Sequence, residues 1–188
     1  MFQYPYPFFK KKEEKKILNK SGLGNTLEKD IILTNAFYKE QNIALVFKNE
    51  ISIQVVKTNY PSRQKAKITE AYYHINSLPD YQGIYRGKYI CFDVKETNHK
   101  TSFSLKNIPQ HQINNLEQIK KFKGIAFFII NFKQYDKYFY LPIDFLTDYI
   151  ANNKKKSINY KIFVEKLYQI PFSYRPRLDY IKIINYFI

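Results

Sequence analysis

Pro79-Asp80-Tyr81-Gln82-Gly83-Ile84-Tyr85-Arg86-Gly87-Lys88-Tyr89-Ile90-Cys91-Phe92-Asp93-Val94-Lys95 is the stretch whose reading decides the fold. Asp80 and Asp93 are equidistant from the Arg86-Gly87 pair, so a two-residue turn there sets the aspartates opposite each other. Gly87 supplies the positive φ that a tight hairpin turn needs. Its flanks, Gln82 to Tyr85 and Lys88 to Phe92, are rich in strand formers, and the segment reads as a β-hairpin. Directly opposed residues share a face with Cβ atoms about 4.5–5.5 Å apart, where like charges repel. The period of two puts Lys95 on the face of Asp93 and turns Val94 the other way.

Two carboxylates and an ammonium thus converge on one small volume. Hard divalent cations such as Mg²⁺ take oxygen ligands from one or two carboxylates plus phosphate, so the constellation reads as a metal-assisted phosphodiester site. Asp80 and Asp93 are the expected metal ligands. Lys95 is expected to polarise the attacking water and to stabilise transition-state charge. Taken literally, Pro79-Asp80 followed by Asp93-Val94-Lys95 is the PD-(D/E)XK nuclease signature. The motif is short, and its weight comes from the predicted hairpin ahead of a helix and a buried strand.

Composition agrees. The chain of 188 residues carries a formal charge of +15, which favours a polyanionic partner, nucleic acid before an anionic membrane surface. No apolar run is long enough to span a bilayer and no secretory h-region opens the sequence, so a cytoplasmic, nucleoid-associated protein is expected. The single cysteine, Cys91, reads as a buried strand residue. With only four arginines in a lysine-rich chain, Arg63, Arg86, Arg175 and Arg177 stand out as candidates for bidentate phosphate recognition.

Along the chain, residues 1–20 form an aromatic and basic arm, expected to be flexible, and residues 21–188 one domain. Leu27, Ile31, Thr34 and Tyr38 mark a helix capped by Asn25 or Thr26, with Glu28 in its first turn, facing either the helix dipole or the site. Asn42–Phe47 and Ile51–Val56 read as strands. Lys57, Arg63, Lys65 and Lys67 then mark a protruding basic insertion at about 57–68, read as phosphate-binding. Thr97 and Lys100, beyond the hairpin, are further candidates for phosphate contact. Pro109 starts a helix ending before Gly124, Gly124–Phe132 reads as a central strand buried on both faces, and Tyr138–Ile143 as another strand. Asp144 is expected to cap a helix to Ala151 and Ser157 a last helix through Lys166. Asn152–Lys156 reads as a basic linker.

The chain resembles the RecU family of Holliday junction resolvases. The resemblance rests on Thr26-Leu27-Glu28, Gln54-Val55-Val56-Lys57, Tyr60-Pro61 with Arg63, Asp80-Tyr81 with Gly83, Lys95-Glu96-Thr97 with Lys100-Thr101-Ser102-Phe103, His111-Gln112-Ile113, and Pro176-Arg177 with Asp179-Tyr180. It implies a restriction-endonuclease-like α/β fold with a mixed central sheet, flanking helices and a basic stalk. It also implies a homodimer that uses Mg²⁺, with Mn²⁺ as substitute, to cut paired strands of four-way junction DNA alongside the recombination machinery. On this resemblance Gln112 joins the metal site, the backbone carbonyl of Leu78 offers a further ligand, and Arg63 is a stalk arginine. Three positions depart from the family's pattern: Asp93 stands where Glu is usual, Leu78 where Thr is frequent, and Leu23 where an Arg precedes the glycine. Two other readings stay open: a sequence-specific restriction-type enzyme with the same triad, and a catalytically silent DNA-binding or recombination-modulating protein.

Overall fold

The computed structural model describes residues 27–50, 53–73 and 78–188. The N-terminal arm and the expected caps Asn25 and Thr26 lie outside these residues.

In chain order the elements are α1 (Leu27–Glu40), β1 (Leu45–Lys48), β2 (Ile53–Asn59), β3 (Lys67–Tyr73), β4 (Tyr81–Tyr85), β5 (Lys88–Thr97), β6 (Ser102–Ser104), a single 3-10 turn at Leu105–Asn107, and α2 (Gln110–Lys121). There follow β7 (Ile125–Phe132), β8 (Lys137–Pro142), α3 (Ile143–Asn152), β9 (Ser157–Asn159), α4 (Tyr160–Lys166), β10 (Tyr168–Ile170) and α5 (Tyr180–Ile184). The main sheet has six strands in the order β1-β4-β5-β7-β8-β10. Only β5 and β7 run parallel, joined by the α2 crossover. The result is a mixed α/β sheet with helices on both faces.

β7, apolar at every position but Asn131, is buried throughout, because a central strand must feed two cores. Phe127 and Ile129 pack with Leu27, Ile31 and Ile181 of α1 and α5. Ala126, Phe128 and Ile130 pack with Ile113, Leu116, Leu146 and Phe163 of α2, α3 and α4. On the α1 side the rings of Tyr81, Phe92, Phe127 and Tyr140 form a row across four strands, with successive centroids 4.9, 4.8 and 4.4 Å apart. Such cross-strand contacts fix register, and a one-residue slip would expel every ring. Gly83 lies so close under β1 that a Cβ there would come within 2.1 Å of the Leu45 carbonyl oxygen.

The decisive hairpin forms in the expected register, with Tyr81 opposite Phe92 and Tyr85 opposite Lys88. Arg86 (φ 48°) and Gly87 (φ 72°) are both left-handed, as a type I′ turn requires. Arg86 packs over the ring of Tyr85 at 5.3 Å.

Several local expectations are corrected. The two early strands begin later than expected, at Leu45 and within the described residues at Ile53; β1 joins β4, whereas β2 and β3 form a separate two-stranded sheet. Helix α3 begins at Ile143 with Pro142 before it, so Asp144 lies inside the first turn, 2.9 Å from Lys120 Nζ. Ser157 opens a strand, and Asn159 caps α4 by accepting from the Lys161 N–H at 2.9 Å. Lys123, not Gly124, takes the left-handed position after α2 (φ 64°). Among the described residues no helix is long and apolar enough to cross a membrane.

Candidate active site

Hydrogen bonds across the open end of the hairpin set the two aspartates. Asp80 donates its N–H to Asp93 Oδ1 at 3.0 Å, and Val94 donates its N–H to Asp80 Oδ2 at 3.3 Å. Each carboxylate thus accepts from the backbone of the opposite segment. The alternation of β5 sends Ile90 and Phe92 into the α1-side core and Cys91 into the α2-side core, so Asp93 and Lys95 face α2. There the amide of Gln112, third residue of α2, donates from Nε2 to Asp93 Oδ1 at 3.3 Å.

Asp93 is only 1 % exposed. Burial, and secondarily the Asp80 charge, push its carboxyl up to about 7, while the Asp80 N–H and the Lys95 ammonium pull the other way. The expected repulsion between opposed acids is therefore present and only partly relieved. Two buried oxygens at this point accept no hydrogen bond, Asp93 Oδ2 and Gln112 Oε1. Buried acceptors left without a donor are costly, about 1–3 kcal/mol each. Two unpartnered oxygens on residues that touch each other, beside a second carboxylate, suit a hard cation. The donor set is two carboxylates and a carboxamide. No cluster of three or more His, Cys, Asp or Glu side chains suited to a metal forms among the described residues. Leu78 is exposed and has only its backbone carbonyl to offer.

Asn49, just past β1, carries no signature in the sequence, yet it anchors the Pro79-Asp80 corner. Its Nδ2 donates to the Pro79 carbonyl at 2.5 Å and its N–H to the Asp80 carbonyl at 2.8 Å. Its Oδ1 accepts from Gln82 Nε2 at 2.7 Å, and Gln82 Oε1 accepts from the Tyr89 hydroxyl at 2.7 Å. This chain of side chains ties the corner to the hairpin's own strands. Asn49→Ala and Asn49→Asp, which both lose the donor to Pro79, are expected to weaken divalent-cation binding at this corner about tenfold, as loss of a group that orients the ligands does. Titration calorimetry of the free protein measures this.

Glu28 and Lys48 form an exposed ion pair on the α1 side of the same corner. Glu28 and Asp80 both raise the proton affinity of the Tyr81 hydroxyl, second to burial. Glu28 thus pairs with Lys48 on the α1 side of the sheet, whereas Asp93 and Lys95 face α2.

The basic insertion is a hairpin longer than expected, formed by β2 and β3, and every described residue of both strands is exposed. Arg63 lies at its tip, in a turn closed by the Lys65 N–H on the Ser62 carbonyl at 3.0 Å. Lys65 and Lys67 are exposed beside it, whereas Lys57 lies opposite Glu70 on β3.

The other candidates divide. Lys100 is exposed. Thr97, expected at phosphate, is 4 % exposed, and its hydroxyl accepts from the His99 N–H at 3.1 Å, so it holds a turn. Arg177 does not present a free fork either. It pairs with buried Asp30 at 3.1 Å and lies over Phe172 at 4.9 Å, binding the C-terminal segment to α1. Arg175 pairs with Glu40 on the surface and packs on Phe37, 5.3 Å from the ring.

Comparison with known proteins gives a consistent picture. The family described as Recombination protein U matches residues 22–186. "Holliday junction resolvase RecU" of Staphylococcus aureus is 43 % identical over 167 residues, spanning 87 % of this chain and 80 % of that protein. The protein of the same name from Staphylococcus epidermidis matches to the same extent. Among solved structures, Archaeoglobus fulgidus Hjc, described as a Holliday junction resolvase, aligns over 52 % of this chain and 75 % of its own, with a TM-score of 0.34 and 13 % identity.

Proposed function

Since this chain belongs to the Recombination protein U family, we propose that it is a Mg²⁺-dependent endonuclease that resolves four-way DNA junctions by paired phosphodiester cleavage. The observation that carries the chemistry is the pair of buried, unpartnered oxygens Asp93 Oδ2 and Gln112 Oε1 beside Asp80. Asp80, Asp93 and Gln112, with the Leu78 carbonyl, would hold the cation. When bound, it lowers the pKa of a water and neutralises phosphoryl oxygens. Lys95, on the face of Asp93, directs its ammonium to the same volume, orienting the attacking water and stabilising the charge that develops on phosphate. The backbone donors of Asp80 and Val94 fix both carboxylates before substrate arrives. The exposed β2–β3 hairpin, with Arg63 at its tip, enters the junction and supplies the selectivity for branched DNA.

Two symmetric cuts call for a two-fold enzyme, and we assign a surface to that contact. Leu45, Phe47 and Ile84 are exposed on the face of β1 and β4 opposite the one carrying buried Val46 and Tyr81. Ile53, Val55, Ile68 and Tyr73 of the β2–β3 hairpin are exposed as well. An apolar sheet face of this kind marks an interface.

The test is cleavage of a synthetic four-way junction with and without Mg²⁺, with linear duplex as competitor. Symmetric, Mg²⁺-dependent nicking that linear duplex does not suppress at equal concentration is expected. Equal cutting of linear duplex would overturn junction selectivity, and cutting at one recognition sequence would mark a restriction-type enzyme.

A further inference from the structure

The segment Asn152–Lys156, read from sequence as a basic linker and beginning at the last residue of α3, is not isolated in the fold. Strand β9, which follows it, pairs with β6, setting Ser102 opposite Asn159, Phe103 opposite Ile158 and Ser104 opposite Ser157. The Leu105 N–H donates to the Lys156 carbonyl at 3.0 Å and the Tyr160 N–H to the Thr101 carbonyl at 2.8 Å, closing both ends of this small sheet. Phe103 and Ile158 are wholly buried in the α2-side core, and the Tyr160 ring packs on Phe132 and Tyr135. The platform is therefore rigid.

Its charge is one-sided. Residues 98–107 and 152–161 contain six lysines and no acid. Lys100, Lys106, Lys154, Lys155, Lys156 and Lys161 are all exposed. Among the described residues, Lys161 alone of the six forms an ion pair, with Glu165 at 3.6 Å, an exposed contact of little strength. The platform also lies on the same sheet face as the candidate site. Strand β5 passes from Asp93 and Lys95 to Thr97 and on to β6, and the 3-10 turn after β6 leads through Pro109 into α2, which carries Gln112. Exposed ammonium groups on a segment anchored in the core, on the sheet face that carries the candidate phosphodiester site, match the phosphate backbone of a duplex.

We propose that the β6–β9 sheet is a second phosphate-backbone site, with Lys154, Lys155 and Lys156 as its main contacts, that holds the duplex arm flanking the scissile phosphate. This rests on the junction-nuclease reading and places one arm of that substrate on a defined surface, away from the β2–β3 hairpin. Loop lysines here neutralise phosphates irrespective of base sequence and take no part in the chemical step.

The experiment measures equilibrium binding in EDTA, where no cleavage occurs, to synthetic four-way junctions with long arms or with arms cut to half a helical turn. For the long-armed junction, K154A/K155A/K156A is expected to lower the slope of log affinity against log salt by about 2–3, since each phosphate contact contributes close to one. On the short-armed junction the variant and the wild type should match, and K154R/K155R/K156R should keep the wild-type slope. An unchanged slope on long arms, or an equal loss on both junctions, overturns the proposal. An RNA duplex or an acidic protein that competes better than the long-armed DNA overturns the choice of ligand. If the wild type binds junctions but Mg²⁺ elicits no cutting, the nuclease reading fails while the salt slope still decides this one.

Discussion

Lys95→Ala is expected to lower Mg²⁺-dependent junction cleavage by about 10²–10³-fold, the usual cost of losing one well-placed donor to transition-state charge. Junction binding should persist, because the affinity for DNA is spread over exposed lysines elsewhere. Single-turnover cleavage and a binding titration on the same substrate separate the two effects. A second readout follows from the site's electrostatics. Lys95 opposes the proton affinity of Asp93, so removing the ammonium should raise the Asp93 pKa further, which carboxyl-carbon NMR of the metal-free protein can follow. If binding and cleavage fell together while Asp93 titrated as before, Lys95 would be a DNA contact and not a group at the reacting phosphate.

Asp93→Asn is expected to abolish cleavage and yet stabilise the metal-free protein at pH 8 by about 1–3 kcal/mol, the scale of one unpartnered buried group. An asparagine keeps an oxygen to accept from the Asp80 N–H and from Gln112, and its Nδ2 replaces an orphaned, charged oxygen with a donor facing Asp80. The pH dependence has a definite sign. The folded carboxyl is raised by burial and by Asp80 to about 7, above its unfolded value of about 4. The folded state therefore holds the extra proton, and this contribution to stability is fully present below about pH 4 and is lost as pH rises through 7. Relative to Asp93→Asn, the metal-free wild type should lose stability between about pH 4 and pH 7, and Mg²⁺ should restore it by binding the ionised pair. Thermal unfolding of both proteins across pH, with and without Mg²⁺, measures this. A wild type more stable than the variant at pH 8 without metal would overturn the picture of a strained, cation-seeking site.

Such strain is characteristic of functional sites, where stability is given up for chemistry. The remainder of the hairpin offsets it, through the aromatic row from Tyr81 to Tyr140 and the Asn49 contacts. Asp93 sits deep in this frame, held by Gln112 from the neighbouring helix.

The sequence by itself determined what depends on short-range periodicity. Symmetry about Arg86-Gly87 dictated the hairpin register, and hence that Asp80 meets Asp93 with Lys95 on the same face, because strand alternation follows from covalent geometry alone. The nearly all-apolar run of β7 announced a central strand for the same reason. Only the tertiary structure decided what depends on distant partners. Arg177 and Thr97 carry chemistry suited to phosphate, but Asp30, 147 residues away in the chain, claims the one, and a local turn with burial claims the other. Asn49 reads as an ordinary turn residue until Pro79 and Gln82 come within reach of its amide. Ser157 has the residue type of a helix cap, but pairing with Ser104 makes it a strand, since a backbone partner supplied by another segment outweighs a local preference. The segment Asn152–Lys156 likewise gained a place in the fold only when β9 joined β6 and anchored it through Phe103 and Ile158 in the α2-side core. Charge is written in the sequence, but the site it serves is fixed by which strands pair.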